Sequence, residues 1–467
     1  MLVSFVVYDV ETTGFNKRFD QILQFGAIRA DDDLVAIDRI ELRSRLLPNV
    51  VPSPKALHIT GVAFDDIIST TRPSHYQMVC EIQRTLQAWS PAMFLGFNSI
   101  NFDEEFLRQA FYHGLHPIFL TNTNGNARAD VLKLVRAVAT LHPNVLTASR
   151  DEAGRLVFRL GKLASTNGMV VGQAHDALAD VEITLALCRK ARDGAPDLWS
   201  TFLRFAAKAA VLDFVRDEEV FAYFEFFGGR QDVHLVTRIG VNPTDANVHY
   251  CLDLTADISE LRRLSDVELI ARLKTYPRPI RKLKVNASPL LCPLWELGPD
   301  QLGDFTESDL MREAESVRMD DDFVERLVRA AAAGERVFEP SEHVELQIYG
   351  QGFLSDTDSA LSRRFHVAPW EQRPGIAAQF EDRRLRRLAR RLIYFERPDL
   401  LDGAQRQAMN NEISRRVRGG PDEMPWLTIP NAMIELEALI AELEPAFHGP
   451  LNTYREHLRA RLVQISV

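Results

Sequence analysis

The segment Phe5-Val-Val-Tyr-Asp-Val-Glu-Thr-Thr-Gly14 constrains this chain more than any other stretch. Its apolar start reads as a strand, and on a strand successive side chains alternate faces, so Asp9 and Glu11 point the same way. Two carboxylates side by side repel unless a cation sits between them, and hard oxygen donors suit Mg²⁺ or Mn²⁺. Thr12-Thr13-Gly14 then turns the chain, and Gly14 lets the backbone come close to a bound molecule. A strand that begins apolar and ends in an acid pair belongs at the rim of a buried sheet.

Two later segments repeat the pattern of an acid beside an apolar run. Asp103 lies in Gly96-Phe-Asn-Ser-Ile-Asn-Phe-Asp-Glu-Glu-Phe-Leu107, and His175 and Asp180 share Ala174-His-Asp-Ala-Leu-Ala-Asp180. Asp103 opens a helix read over 103–113, where the helix dipole favours an acid whether or not it has a further role. His175 and Asp180 stand five apart across the start of a helix read over 176–191. A histidine takes up a proton near neutral pH, which suits activation of a water, although a capping or packed histidine is the plain alternative. Singly, each residue has such an alternative, a solvated strand end included. Three separated acidic positions converging on one point are what two-magnesium phosphodiester cleavage needs.

Between these segments the pattern alternates. Strands are read at 24–30, 38–46 and 93–97, with helices at 79–89, 103–113, 131–141 and 176–191. Strands first and helices interleaved after predict an α/β domain with a mixed sheet over residues 1–195. Arg192-Asp-Gly-Ala-Pro196 breaks the pattern. Strands at 220–227, 233–239 and 249–253, with prolines at the end of this section, predict a small SH3-like β-barrel domain within 196–344. From 345 to 467 the chain reads as helical, with helices at 380–395, 403–418 and 431–443. At 467 residues it is too long for one ordinary core.

Composition narrows the class. With 46% hydrophobic and 26% charged residues the chain is globular. It has no stretch of the roughly 18 uninterrupted apolar residues that a membrane helix needs, and no leader pattern, so a cytoplasmic location is expected. Cys80, Cys188, Cys251 and Cys292 are scattered without a CxxC pair, which argues against a zinc ribbon or a disulfide frame. A net charge of −10 does not advertise nucleic-acid binding, yet it leaves room for a local basic groove.

Asp-x-Glu-Thr-Thr-Gly, then Asn-x-x-x-Phe-Asp, then His-x-Ala-x-x-Asp resembles the pattern of the DEDDh 3′→5′ exonucleases, whose fold is RNase H-like. Ala56-Leu-His-Ile-Thr-Gly-Val62 is similar to the segment after the third strand there. Resemblance to bacterial exonuclease I runs further, through Phe158-Arg-Leu-Gly-Lys-Leu-Ala-Ser-Thr-Asn-Gly168, Asp253-Leu-Thr-Ala-Asp-Ile-Ser259, Leu291-Cys-Pro-Leu294 and Gln347-Ile-Tyr-Gly-Gln-Gly-Phe-Leu-Ser-Asp356.

The resemblance implies Asp9, Glu11 and Asp180 as metal ligands, Asp103 as the fourth acid and His175 as general base. It implies two Mg²⁺ ions, with Mn²⁺ as a substitute. Glu11, Arg159, Arg108, Arg136 and Gln173 fall where family members meet the strand. One departure is Tyr8, where some members carry a polar residue; it is expected to adjust packing.

The implied reaction is 3′→5′ hydrolysis of single-stranded DNA to 5′-mononucleotides, in repair or recombination, by a monomer that also docks the acidic tail of single-strand DNA-binding protein. An exoribonuclease with the same centre, or a non-catalytic module binding DNA ends, stays open at this stage. Two basic runs are candidate strand contacts, 278–284 and 383–391, the second leaving six arginines off an apolar helical face. Phe226, Phe227, Tyr276 and Trp295 are candidate stacking platforms.

Overall fold

The computed structural model describes residues 4–169, 176–227, 230–334, 341–350, 352, 354–420 and 424–464. Two motif residues, Gln173 and His175, lie outside the described residues, as does the side chain of Phe227.

The first sheet is built on β1 (Phe5–Thr12), β2 (Ile22–Ala30), β3 (Ala36–Arg43), β4 (Met93–Gly96) and β5 (Ala127–Asp130), in the order β3-β2-β1-β4-β5. β1 runs antiparallel to β2 and parallel to β4, so the sheet is mixed, as the alternation of elements predicts. β1 is central and seven of its eight residues are buried, because helices cover both faces of the sheet. Val6, Tyr8 and Val10 pack under the helices His75–Ala88 and Asp103–His113. Phe5 and Val7 pack on the other side with Val131–Leu141 and Ala177–Gly194. A short hairpin of β6 (Ser149–Arg150) and β7 (Leu156–Val157) precedes the helix Leu160–Thr166.

A second sheet holds β8 (Phe221–Phe227), β9 (Arg230–Val241), β10 (Val248–Asp253), β11 (Ile280–Lys284) and β12 (Leu290–Pro293), all antiparallel, in the order β11-β10-β9-β8-β12. The antiparallel strands are those expected of this region. Among the described residues no pairing closes β11 onto β12, and helices cover the sheet. Val248, Tyr250 and Leu252 share a core with Leu310, Ala314, Phe323 and Leu327 of the helices Glu307–Arg318 and Asp321–Ala333. Cys251 faces the opposite core, with Phe205, Phe214 and Leu283. Burial on both faces explains why all six residues of β10 are buried, His249 and Asp253 included, which pair with Arg238 and His234 inside the fold. Those helices were not legible in the sequence reading of this region.

The remaining chain is helical, with Asp356–Val367, Arg373–Gln379, Arg383–Glu396, Gly403–Arg418, Ile429–Glu442 and His448–Gln464. It lies against the first sheet's domain at two places. Tyr76, Tyr112 and Leu115 join the core of Phe365, Ile376 and Leu388. Leu23, Leu57 and Phe64 join that of Ile429, Leu436 and Tyr454.

Candidate active site

β1 delivers Asp9 and Glu11 to one rim of the sheet, and Asp180 arrives from the first turn of the helix Ala177–Gly194. Carboxylate oxygens of Asp9, Glu11 and Asp180 all lie within 4.8 Å of one another. What lets the helix come so close is Gly26, which pairs with Asp9 across β1 and β2. A Cβ at Gly26 would sit 2.7 Å from the backbone of both Ala177 and Leu178. Asp176 fixes the same helix end. Its Oδ1 accepts from Ala179 N–H at 3.2 Å, and its Oδ2 accepts from Gln24 at 2.9 Å and Arg43 at 2.8 Å. Neither Gly26 nor Asp176 was singled out in the sequence, although a glycine inside a buried strand is a signal of close backbone approach.

Asp103 stands behind this trio. It opens the helix Asp103–His113, is 2% exposed, and its Oδ1 accepts the N–H of Val10 at 3.0 Å. That bond ties the acid to the strand residue between Asp9 and Glu11. Gly96 makes the approach to it possible, since a Cβ there would lie 2.9 Å from the Tyr8 carbonyl oxygen and 2.6 Å from Ser99.

The electrostatics are those of an anionic cluster short of positive charge. Burial, then Asp103, Glu11 and Asp180, push Asp9 well above the usual carboxylate range. Burial, then Asp180 and Asp103, push Glu11 up to about 8, with Arg43 opposing. Burial also pushes Asp103 up to about 8, against the N–H groups it accepts from. Three oxygen-donor side chains that resist ionisation for want of a counter-charge fit a hard divalent cation.

Glu104 shows how Tyr8 fits. The Tyr8 hydroxyl donates to Glu104 Oε2 at 2.8 Å, while Oε1 accepts from Thr121 at 2.6 Å and Arg108 Nε at 2.9 Å, with Arg128 Nη1 2.8 Å away. Arg108 also donates to Tyr349 and Asn122, so its donors are engaged inside the fold. This geometry offers structural pairing in place of the strand contact expected for Arg108.

Arg159 and Arg136 do come together. Both line a surface cleft of about 350 Å³ with Arg155, Phe158 and Phe226. The Arg136 guanidinium lies over both aromatic rings, 5.5 Å from the Phe158 centroid and 4.9 Å from that of Phe226. Its Nε is buried without a partner.

Of the other candidates, Tyr276 and Trp295 are 78% and 70% exposed. Of residues 278–284, Arg278, Ile280, Arg281 and Lys282 border a cleft of about 300 Å³ that also holds Lys274. The arginine run 383–391 does not turn all six of its arginines outward. Arg384 and Arg391 are buried, pairing with Asp382 and with Glu345 and Glu412, so the run splits between internal ion pairs and four exposed arginines.

Among the described residues no helix is long and apolar enough to cross a membrane. An exonuclease family model matches residues 6–188, and a model of the exonuclease I C-terminal domain matches 342–451. Exodeoxyribonuclease I of Haemophilus influenzae is 29% identical over 401 residues, covering 82% of this chain and 84% of its own. That of Escherichia coli is 27% identical over 428 residues, covering 86% and 88%. The fold matches Escherichia coli exonuclease I bound to a dT13 oligonucleotide with a TM-score of 0.87 at 23% identity, over 97% of this chain and 99% of that one. It matches exonuclease I of Methylocaldum szegediense with a TM-score of 0.86 at 24% identity, over 98% and 100%. With its acidic centre inside the first matched region and its helical end inside the second, the chain is similar to the bacterial exonucleases I along most of its length.

Proposed function

We propose that this protein is a divalent-metal-dependent 3′→5′ exodeoxyribonuclease that shortens single-stranded DNA and releases 5′-mononucleotides. The observation that carries the reading is the convergence of Asp9, Glu11 and Asp180 within 4.8 Å, backed by Asp103, in a chain that matches exodeoxyribonucleases I over most of its length. Asp9, Glu11 and Asp180 hold the cations, which we take to be two Mg²⁺ ions replaceable by Mn²⁺. When bound, they lower the cost of placing negative charge on the reacting phosphate and on the leaving oxygen.

The chain's own groups do the rest. His175, five residues before Asp180, takes a proton from the attacking water. The new P–O bond forms as the bond from phosphorus to the 3′ oxygen breaks, and a proton ends on that oxygen. Asp103 holds the Val10 amide, and with it the spacing of Asp9 and Glu11. Arg136 and Arg159 meet the strand at the Phe158–Phe226 cleft, where a cation beside aromatic faces suits both phosphate and base. Gln173, two residues before His175 in the sequence, is assigned to the same strand path.

The protein works as a cytoplasmic monomer, since one chain supplies every candidate ligand, and a basic surface docks the acidic tail of single-strand DNA-binding protein. We assign the domain divisions to 195/196, after the helix Ala177–Gly194, and to 344/345, beyond the helices that cover the second sheet. Side-by-side digestion of 3′-labelled single-stranded DNA and RNA of one sequence, with Mg²⁺, tests the reading. DNA should lose its label at least ten times faster; faster loss from RNA, or release from a 5′ label first, overturns it.

A further inference from the structure

Far from the carboxylates, a second cluster of metal-ligating side chains lies where the helical region meets the first domain. Cys80 comes from the helix His75–Ala88, His116 from the turn after Asp103–His113, and His366 from Asp356–Val367. One donor atom from each lies within 4.8 Å of the other two. Cys80 Sγ and His116 Nε2 are 3.4 Å apart. Two such donors on one tetrahedral zinc stand about 3.6 Å apart, given bonds of about 2.3 and 2.0–2.1 Å. Burial brings both imidazoles down, His116 to about 3 and His366 to about 4, so at neutral pH each ring is uncharged and offers one nitrogen lone pair. Burial lifts the thiol to about 11, and Arg373, which donates to the Tyr76 hydroxyl beside it at 3.0 Å, favours the thiolate.

The cluster opens on a cavity of about 870 Å³ between the two regions, walled by Leu115, Pro117, Leu120, Leu354 and Val367. Ser362, 6% exposed and lining the same cavity, has an Oγ without a hydrogen-bond partner. The space and this polar atom leave room for a water or small ligand to complete a coordination shell of three protein donors.

We propose that Cys80, His116 and His366 form a second metal centre, for a zinc-class cation, that pins the helical region to the exonuclease domain. Thiol and imidazole donors select this class over Mg²⁺, which takes oxygen ligands, so the two centres are separated by chemistry as well as by position. The two rings are stacked, with centroids 4.0 Å apart and planes 5° apart. A ligated ring has the metal in its own plane, so binding turns one ring out of the stack. His366 is the one that gives: the Nε2 proton that faces the Leu115 carbonyl at 3.3 Å shifts to Nδ1, which lies 3.0 Å from the Tyr76 hydroxyl, and the freed Nε2 lone pair turns to the metal. Binding also releases the thiol proton to solvent.

Titration of chelator-stripped, full-length protein with Co²⁺ alone tests this. A thiolate-to-cobalt charge-transfer band should appear at one equivalent, be displaced by Zn²⁺, and be absent from Cys80→Ser. His366→Gln should weaken Co²⁺ binding at least tenfold, and one equivalent of Zn²⁺ should slow maleimide labelling of Cys80 at least tenfold in the unaltered protein. That labelling measurement stands even where a variant misfolds. No thiolate band, a band that survives Cys80→Ser, or labelling indifferent to Zn²⁺ each overturns the proposal. The carboxylate centre offers only oxygen donors and gives no such band, so neither result bears on the nuclease reading.

Discussion

Asp103 and Glu104 are neighbours in sequence and both buried, at 2% and 1% exposure, yet they sit in opposite electrostatic surroundings. Glu104 faces Arg108 and Arg128 and accepts from Tyr8 and Thr121; although burial works against it, the two guanidinium groups and the hydroxyls hold its carboxyl below its ordinary value. Asp103 is instead pushed up to about 8 by burial, then by Asp130 and Glu104 itself, against the N–H groups it accepts from. Glu345, buried at 2% between Arg391 and Arg416, follows Glu104. Burial is common to all of these acids. What separates a structural carboxylate from a ligand is whether the fold supplies its counter-charge or leaves that to an ion from solution.

The strongest way to break this contrast is to neutralise one acid on each side. Asp9→Asn should lower kcat by about 10³-fold or more, since it removes a shared cation ligand and several kcal/mol of charge stabilisation with it. In metal-free buffer the same change should raise the melting midpoint by about 2–4 °C, as relief of roughly 1 kcal/mol of repulsion would in a unit of this size. Glu104→Gln should do the reverse to stability, costing about 3–5 kcal/mol in denaturant unfolding because it leaves buried guanidinium charge uncompensated. If both substitutions destabilise the metal-free protein, the contrast fails.

Gly26→Ala probes how the third ligand is brought in. The added methyl must push the start of Ala177–Gly194 off the sheet, at a cost of about 1–3 kcal/mol. Displacing Asp180 by that route should lower kcat by up to about 10²-fold, the scale of a 1 Å misplacement. A kcat within twofold of the original would show that the helix start does not set the ligand geometry.

The smallest effect is one of pH. Glu11 and Asp103 have folded values near 8, above their unfolded ones, so ionising them favours the unfolded chain as pH rises from about 4 to 8. His75 and His113, held neutral by burial at about 4 and about 3, act in the opposite direction, but only below the unfolded histidine value of about 6.5. Between about pH 6.5 and 8 the carboxylates act alone, and the metal-free melting midpoint should fall across that window. Saturating Mg²⁺ should remove the fall, and a fall that persists with metal would place its origin elsewhere.

Much of this was legible beforehand. The helices at Val131–Leu141 and Gly403–Arg418 begin and end where the sequence pattern put them, because each is a long, locally consistent run with a capping acid, Asp130 or Asp402. The arginine run in the helix Arg383–Glu396 is not the wholly outward stripe its periodicity predicts, for a physical reason. Helical periodicity tells which residues share a face, and nothing about which acids wait opposite. The helices over the second sheet escaped for a related reason. A strand buried on both faces announces that something covers it without naming the cover.

The sequence by itself determined the order of the acids, the common face of Asp9 and Glu11, and the class of reaction those imply. These follow from strand alternation and short spacings, which are local properties of the chain. Tertiary structure alone decided that Asp180 reaches them over Gly26, that Glu104 meets two guanidinium groups while Asp103 meets a backbone amide, and that Cys80, His116 and His366 meet. Each of those depends on groups far apart in sequence being desolvated together, and the energy of a buried charge is set by its neighbours in space.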